Sequence, residues 1–241
     1  NGCGYSVFND LGFRTILTST EPAFDMNWDN SPGSPNTGSA LQANAFNRSE
    51  FNGGKYGLGL GLGGYMASEH LAVDVLFANS QMGLVVGNYN ALSDIVVRGI
   101  FTDLQSIAGQ VSSSGGVFAL YSSRAKNISA QGLRLFNSAS STFLIKDLEF
   151  NAPDVSFLST GATGAPISLL VEGGSLAAPQ SSAAVAVAAY SGGSFTLIDT
   201  VLNGRTISTD ACLAHKTVLL AVNNAQLSPL VTSSCTKVFG R

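Results

Sequence analysis

Residues 71–78 read Leu-Ala-Val-Asp-Val-Leu-Phe-Ala, and the same spacing of apolar side chains returns at 95–102 (IVVRGIFT), 143–150 (FLIKDLEF) and 195–202 (FTLIDTVL). The template is apolar, any, apolar, any, any, apolar, any, apolar, carried in its first copy by Leu71, Val73, Leu76 and Ala78. Degenerate copies start at Leu169 and Val218 and a weak one lies near Ala119 to Tyr121, so that starts recur about every 24 residues. Alternation that lasts only a few residues predicts very short strands separated by bends, with one face buried. Behind the template stand Asn79, Asp103, Asn151, Asn203 and Gln226. Side chains of this kind bond their own backbone and tolerate a left-handed turn, so these positions read as corners. A second apolar cluster follows in each unit, as in Leu84-Val85-Val86, Ile107, and Val155 with Phe157.

One such unit cannot close a core, but stacked units pair strand on strand and bury a continuous interior. The array resembles the right-handed parallel β-helices of the pectin-lyase-like superfamily, at the level of the fold, with about seven coils over residues 67–241. A β-sandwich, which also spaces its strands every eight to twelve residues or so, is the alternative. Residues 1–66 lack the template and are read as an N-terminal arm or cap, irregular with short strands. Their centre, 30–36, is the turn-forming run Asn-Ser-Pro-Gly-Ser-Pro-Asn. Leu58, Leu60 and Leu62 alternate with Gly57, Gly59, Gly61 and Gly63, giving one apolar side and one of bare backbone against which another backbone can lie closely. A start of an outer-membrane barrel would need aromatic girdles and strands of about ten residues, which do not follow downstream.

Composition narrows the function classes. The 241 residues carry 12 Lys+Arg and 15 Asp+Glu, so the surface is polar without being ionic, and 27 glycines exclude a mostly helical chain. A net charge of -3 with no basic run offers nothing to a phosphate backbone, so nucleic acid is not an expected partner. The longest apolar run, from Ala183 to Tyr190, is far short of the roughly 20 residues of a spanning helix. The sequence starts at Asn1, which fits a removed secretory leader, and the sequons at Asn47 and Asn127 fit glycosylation at an extracellular or cell-surface location.

The resemblance implies polysaccharide cleavage as the activity to test. Asp147 and Asp199, two coils or about 10 Å apart, are the nearest approach to an acid pair, just beyond the roughly 6.5–9.5 Å of inverting enzymes. Asp74, Arg98, Lys146 and Glu172 fall at one equivalent position of the template, where opposite charges pair across neighbouring strands. His70 and His215 lack the company for a triad or a zinc site and read as surface or capping residues. Asp25, Asn27 and Asp29 alternate like the first half of a calcium loop, but Asn30 and Asn36 stand where its glycine and bidentate glutamate belong. Trp28 reads as an anchor for the arm in preference to a sugar platform. No cofactor and no catalytic cluster are implied.

Cys212 and Cys235 are separated by the step between the last two coil starts, which places them on adjacent coils about 4.8 Å apart, within disulfide range. Cys3 is then the odd cysteine. The array shows no polar cap after its last coil, so its edge is expected to be covered by the arm or by a neighbouring molecule. The leading expectation is a secreted, non-enzymatic subunit that associates head to tail into an extracellular fibre or surface layer. The alternative is a carbohydrate-active β-helix, either a tailspike-like depolymerase (a polysaccharide hydrolase or lyase) or a polysaccharide-binding passenger domain.

Overall fold

The repeat folds into a parallel β-solenoid in a computed structural model that describes residues 5–26, 41–60, 67–86, 90–110, 115–135, 141–152, 155–160, 167–177, 185–187, 193–201, 217–222 and 236–239. Three faces wind around one bore. Face one is a ladder of ten strands among the described residues: Val7–Asn9, Ala45–Asn47, Leu71–Val73, Asn90–Val97, Gly115–Tyr121, Ser141–Lys146, Ile167–Glu172, Gly193–Ile198, Thr217–Val222 and Thr236–Phe239. Face two begins with Gly12–Arg14, Glu50–Asn52 and Leu76–Ala78, and face three with Phe24–Met26, Tyr56–Leu60 and Met82–Val86. The long strands Ile100–Gln110 and Arg124–Leu135 run round the corner between faces two and three, pairing with both. All of these pairings are parallel, as a coil that never reverses requires.

Residues 5–26 and 41–60 belong to this stack, which corrects the reading of 1–66 as a non-repetitive arm. Val7–Asn9 pairs with Ala45–Asn47, and that strand pairs with Leu71–Val73. Gly12–Arg14 and Phe24–Met26 complete the first rung against Glu50–Asn52 and Tyr56–Leu60. The template missed these rungs because strands such as Ala45-Phe46-Asn47 and Glu50-Phe51-Asn52 turn a single phenylalanine inward, where the template expects paired apolar residues. Where seven coils were expected over 67–241, face one has eight strands there among the described residues, and two more before them.

The register differs from the template by one residue in three coils. Phe46, Ala72, Val96, Leu120, Ile145, Val171 and Leu197 share one register position and are buried. Val73 and Val97, expected inside with Ile145, Leu197 and Leu220, lie one residue further on and are half-buried. Leu220 registers with Thr196 instead of Leu197. Face one is apolar on both sides here, with Leu71, Val73, Ile95 and Val97 pointing out, so an alternation of two cannot tell the bore from the surface.

The interior is built in columns. The rings of Phe13, Phe51, Phe77 and Phe101 stack at 5.2, 5.2 and 4.8 Å with interplanar angles of 10°, 14° and 9°. Gly57 and Gly83 make room beside them: a Cβ on Gly83 would lie 2.8 Å from the Ile107 carbonyl oxygen and 3.0 Å from the Phe101 ring. Buried hydroxyls at the bend after face one are satisfied locally, Ser123 Oγ donating to the Tyr121 carbonyl at 2.9 Å and Thr200 Oγ1 to that of Ile198 at 3.0 Å.

Candidate functional site

The bend between faces one and two is held by residues in the left-handed region: Asp10, Arg48, Asp74, Arg98, Ser122, Asp147 and Asp199, with φ between 48° and 56°, and Gly173 at 68°. Their amides continue the rung-to-rung ladder, as where Arg98 N donates to the Tyr121 carbonyl at 2.9 Å. Stacking one such residue per rung turns the bend into a column. Its first four members alternate in charge, and two bidentate pairs form, Arg48 to Asp10 at 2.7 and 2.8 Å and Arg98 to Asp74 at 2.6 and 2.7 Å. The Arg48 and Arg98 hydrogen bonds, with the opposite charges behind them, hold the Asp10 and Asp74 carboxyls below the usual carboxylate range. Arg14 and Asn52 do the same for Glu50 on face two. These side chains line an open groove of about 510 Å³.

The Asp74–Arg98 and Lys146–Glu172 pairs form as expected, the second at 3.3 Å. They do not share one position, because Lys146 registers with Tyr121, one residue before the bend, where Glu172 also lies. Asp147 and Asp199 are both on the bend, exposed and two rungs apart with Gly173 between them.

The corner between faces two and three carries a polar column. Gly53, Asn79, Asp103 and Asn127 all have positive φ. Asn127 Nδ2 donates to Asp103 Oδ1 at 3.0 Å, and the Thr102 hydroxyl to Asp103 Oδ2 at 2.8 Å. These two hydrogen bonds, Thr102's first, lower the Asp103 carboxyl, with Lys126 adding a smaller attraction. A second open groove of about 490 Å³ runs along this corner past Asn79, Gln81, Asp103, Gln105, Asn127 and Ser129. Of the expected corner residues, Asn79 and Asp103 are corners, Asn151 closes the strand Glu149–Asn151, and Asn203 and Gln226 lie outside the described residues.

Both sequon amides take part in such columns. Asn47 Nδ2 donates to Asn9 Oδ1 at 2.9 Å, and Asn127 Nδ2 to Asp103 as above. Asp25 lies on face three, exposed as a residue, with its carboxyl pushed up to about 6 by desolvation first and by the Glu21 charge second. Asn27, Trp28 and Asp29, together with Cys3, Cys212, Cys235 and His215, lie outside the described residues. Among the described residues no three His, Cys, Asp or Glu side chains gather to hold a metal ion.

One polar feature had no reading from sequence. Ser6, Asn44, His70 and Asp94 share one register position in four successive rungs, just before the face-one strand in the first three and within Asn90–Val97 in the fourth. Backbone N–H groups donate to the side chain of the next rung: Ser6 N to Asn44 Oδ1 at 3.1 Å, Asn44 N to His70 Nδ1 at 3.4 Å, and His70 N to Asp94 Oδ1 at 3.1 Å. His70 is therefore a capping residue, and a buried one. Its burial becomes legible only when the register places it level with Phe118 and Phe143.

Chemically, the grooves favour binding over proton transfer. A general acid at neutral pH needs a carboxyl raised toward 7. Asp10, Glu50, Asp74 and Asp103 are all shifted the other way. No protein-family model, curated protein or solved structure matches the chain.

Proposed function

We propose that this protein is a secreted, non-enzymatic β-solenoid subunit that stacks end to end into an extracellular fibre or surface layer. The observation that supports this reading most is the first rung. Among the described residues its three strands are paired on one side only. Five of the eight exposed large apolar residues also sit on it: Tyr5, Val7, Leu11, Ile16 and Leu17. A parallel strand edge next to apolar surface invites another parallel strand. The far end of face one supplies such a strand, since Thr236–Phe239 pairs among the described residues with Thr217–Val222 alone. Joining that end of one copy to Val7–Asn9 of the next continues the ladder without reversing it, a heterologous contact that propagates. A Cys212–Cys235 disulfide, fastening neighbouring coils near that end, and glycans at Asn47 and Asn127 belong to the same proposal.

Sedimentation and electron microscopy of the purified protein test it. End-to-end assemblies are expected, and Val7→Lys with Leu17→Lys should shorten them while leaving the fold intact, since both side chains are exposed. Discrete monomers at high concentration overturn the reading. The groove at the second corner supports a second reading, a polysaccharide-binding solenoid, because amides and hydroxyls repeated at rung spacing match repeated sugar hydroxyls. Retention on immobilised polysaccharide that Gln81→Ala with Gln105→Ala abolishes would favour it.

A further inference from the structure

Among the described residues, His70 and Asp94 are the two most confined ionisable groups in the bore, with relative exposures of 4% and 2%. They occupy consecutive rungs at the same position. The hydrogen bonds fix the state of the imidazole. Its Nδ1 faces two donors, the backbone N and the side-chain Nδ2 of Asn44, at 3.4 and 3.5 Å. An imidazolium would turn an Nδ1–H against those donors, so this arrangement fits a neutral ring with its hydrogen on Nε2. Asp94 Oδ1 accepts from the His70 amide. Neither His70 Nε2 nor Asp94 Oδ2 has a protein partner, and no ion pair joins them. Both residues line a void of about 10 Å³ whose other walls are apolar, among them Phe46, Leu58, Leu60, Leu84 and Val96.

An ionised Asp94 would leave a buried negative charge beside hydrocarbon, at a cost that drives such groups to take up a proton. We propose that His70 and Asp94 form an internal pair that holds one proton on the carboxyl and none beyond neutrality on the imidazole, so that folding in mild acid moves a proton from His70 to Asp94. The atoms balance. The unfolded chain carries imidazolium and carboxylate, the folded chain carries imidazole and carboxylic acid, and the total is one exchangeable proton in both. In the folded chain Nε2–H and Oδ2–H are then both donors beside a void about as large as one water needs, and one water oxygen accepts from both.

The surroundings agree with this assignment. Among the described residues, the strands packed on the pair present Asn44 and apolar side chains, and the ionisable neighbour is Glu69, exposed beside His70 in the chain. Desolvation lowers His70 to about 4. It raises Asp94 to about 7, opposed by the His70 amide and assisted by the Glu69 charge. The linkage signs are opposite. A depressed histidine makes stability rise with pH between about 4 and 6.5, and a raised aspartate makes it fall between about 3.8 and 7. In the intact pair the two slopes cancel.

The test is urea unfolding of the full chain at several pH values between 4.5 and 6, with single variants, about one proton corresponding to tenfold in the folding constant per pH unit. This pair contributes no slope to the native protein. Relative to it, His70→Gln should lose stability about tenfold per pH unit as pH rises, and Asp94→Asn should gain about tenfold. Variants whose pH dependence parallels the native protein overturn the proposal. Should either variant fail to fold, nitrogen-15 chemical shifts of His70 in the native protein decide alone. A neutral ring protonated at Nε2 at pH 5 supports the pair, and an imidazolium at that pH overturns it.

Discussion

Gly174 shows how tightly a bend residue can be specified. Its φ is +69°, and a Cβ there would fall on the backbone oxygen and nitrogen of Leu148 in the rung before. Neither clash can be relieved by a rotamer. Gly174→Ala should therefore cost at least about 1–3 kcal/mol, read as a shift of the urea midpoint. Its neighbour Gly173 is different, although its φ of +68° is similar. It occupies the place held by Asp74, Arg98 and Asp147 in other rungs, and the obstacle to its Cβ is the Asp147 carboxylate, which can swing away. Gly173→Asn should accordingly cost less than Gly174→Ala. The reverse order would show that the column of bend residues is not interchangeable.

At the scale of one strand, neighbouring residues separate the bore from the outer surface. Val96 is 2% exposed and Val97 half-buried on the other side of the same strand. Val96→Thr places a hydroxyl in the bore and should cost about 1–3 kcal/mol, whereas Val97→Thr should stay within about 0.5 kcal/mol. Phe77→Ala, which breaks the ring stack at its middle, should cost about 3–5 kcal/mol in the same assay. The period of the repeat was legible because the coils between Leu71 and Leu197 have nearly equal lengths. Which side faced in was not, since Leu71-Ala72-Val73 and Ile95-Val96-Val97 offer apolar side chains to both sides. On faces one and two the first two rungs escaped notice for the opposite reason, their strands centring on single phenylalanines, Phe8, Phe13, Phe46 and Phe51. Asp74 with Arg98 was readable as a pair because a fixed period converts sequence separation into contact. The His70–Asp94 pair was not, because a buried polar residue has no mark in sequence until the register is known.

At the scale of the whole molecule, the lowered carboxyls among the described residues lie between Asp10 and Asp103, and they set the loss of stability in strong acid. Asp10, Asp74 and Asp103 are lowered from 3.8 and Glu50 from 4.5. A carboxyl lowered by folding binds its proton more readily in the unfolded chain, so its contribution is complete above the unfolded value and is lost as pH falls through the folded one. These four groups therefore leave stability unaffected above about pH 5 and erode it progressively below about 4. Asp10, Asp74 and Asp103 are exposed and Glu50 is half-buried with its Arg14 partner exposed, and salt screens such pairs, so each contribution is small and the effect lies in their number. Asp25, raised to about 6, acts in the other direction and adds stability as pH falls from 6, so urea midpoints should not drop from pH 6 to 5 and should fall between 4 and 2. Asp10→Asn with Asp74→Asn should flatten that fall, as should added salt. An acid limb that keeps its full steepness in the double variant would show that the alternating column at the bend contributes nothing to acid stability, and would leave Glu50, Asp103 and the remaining acids to account for it.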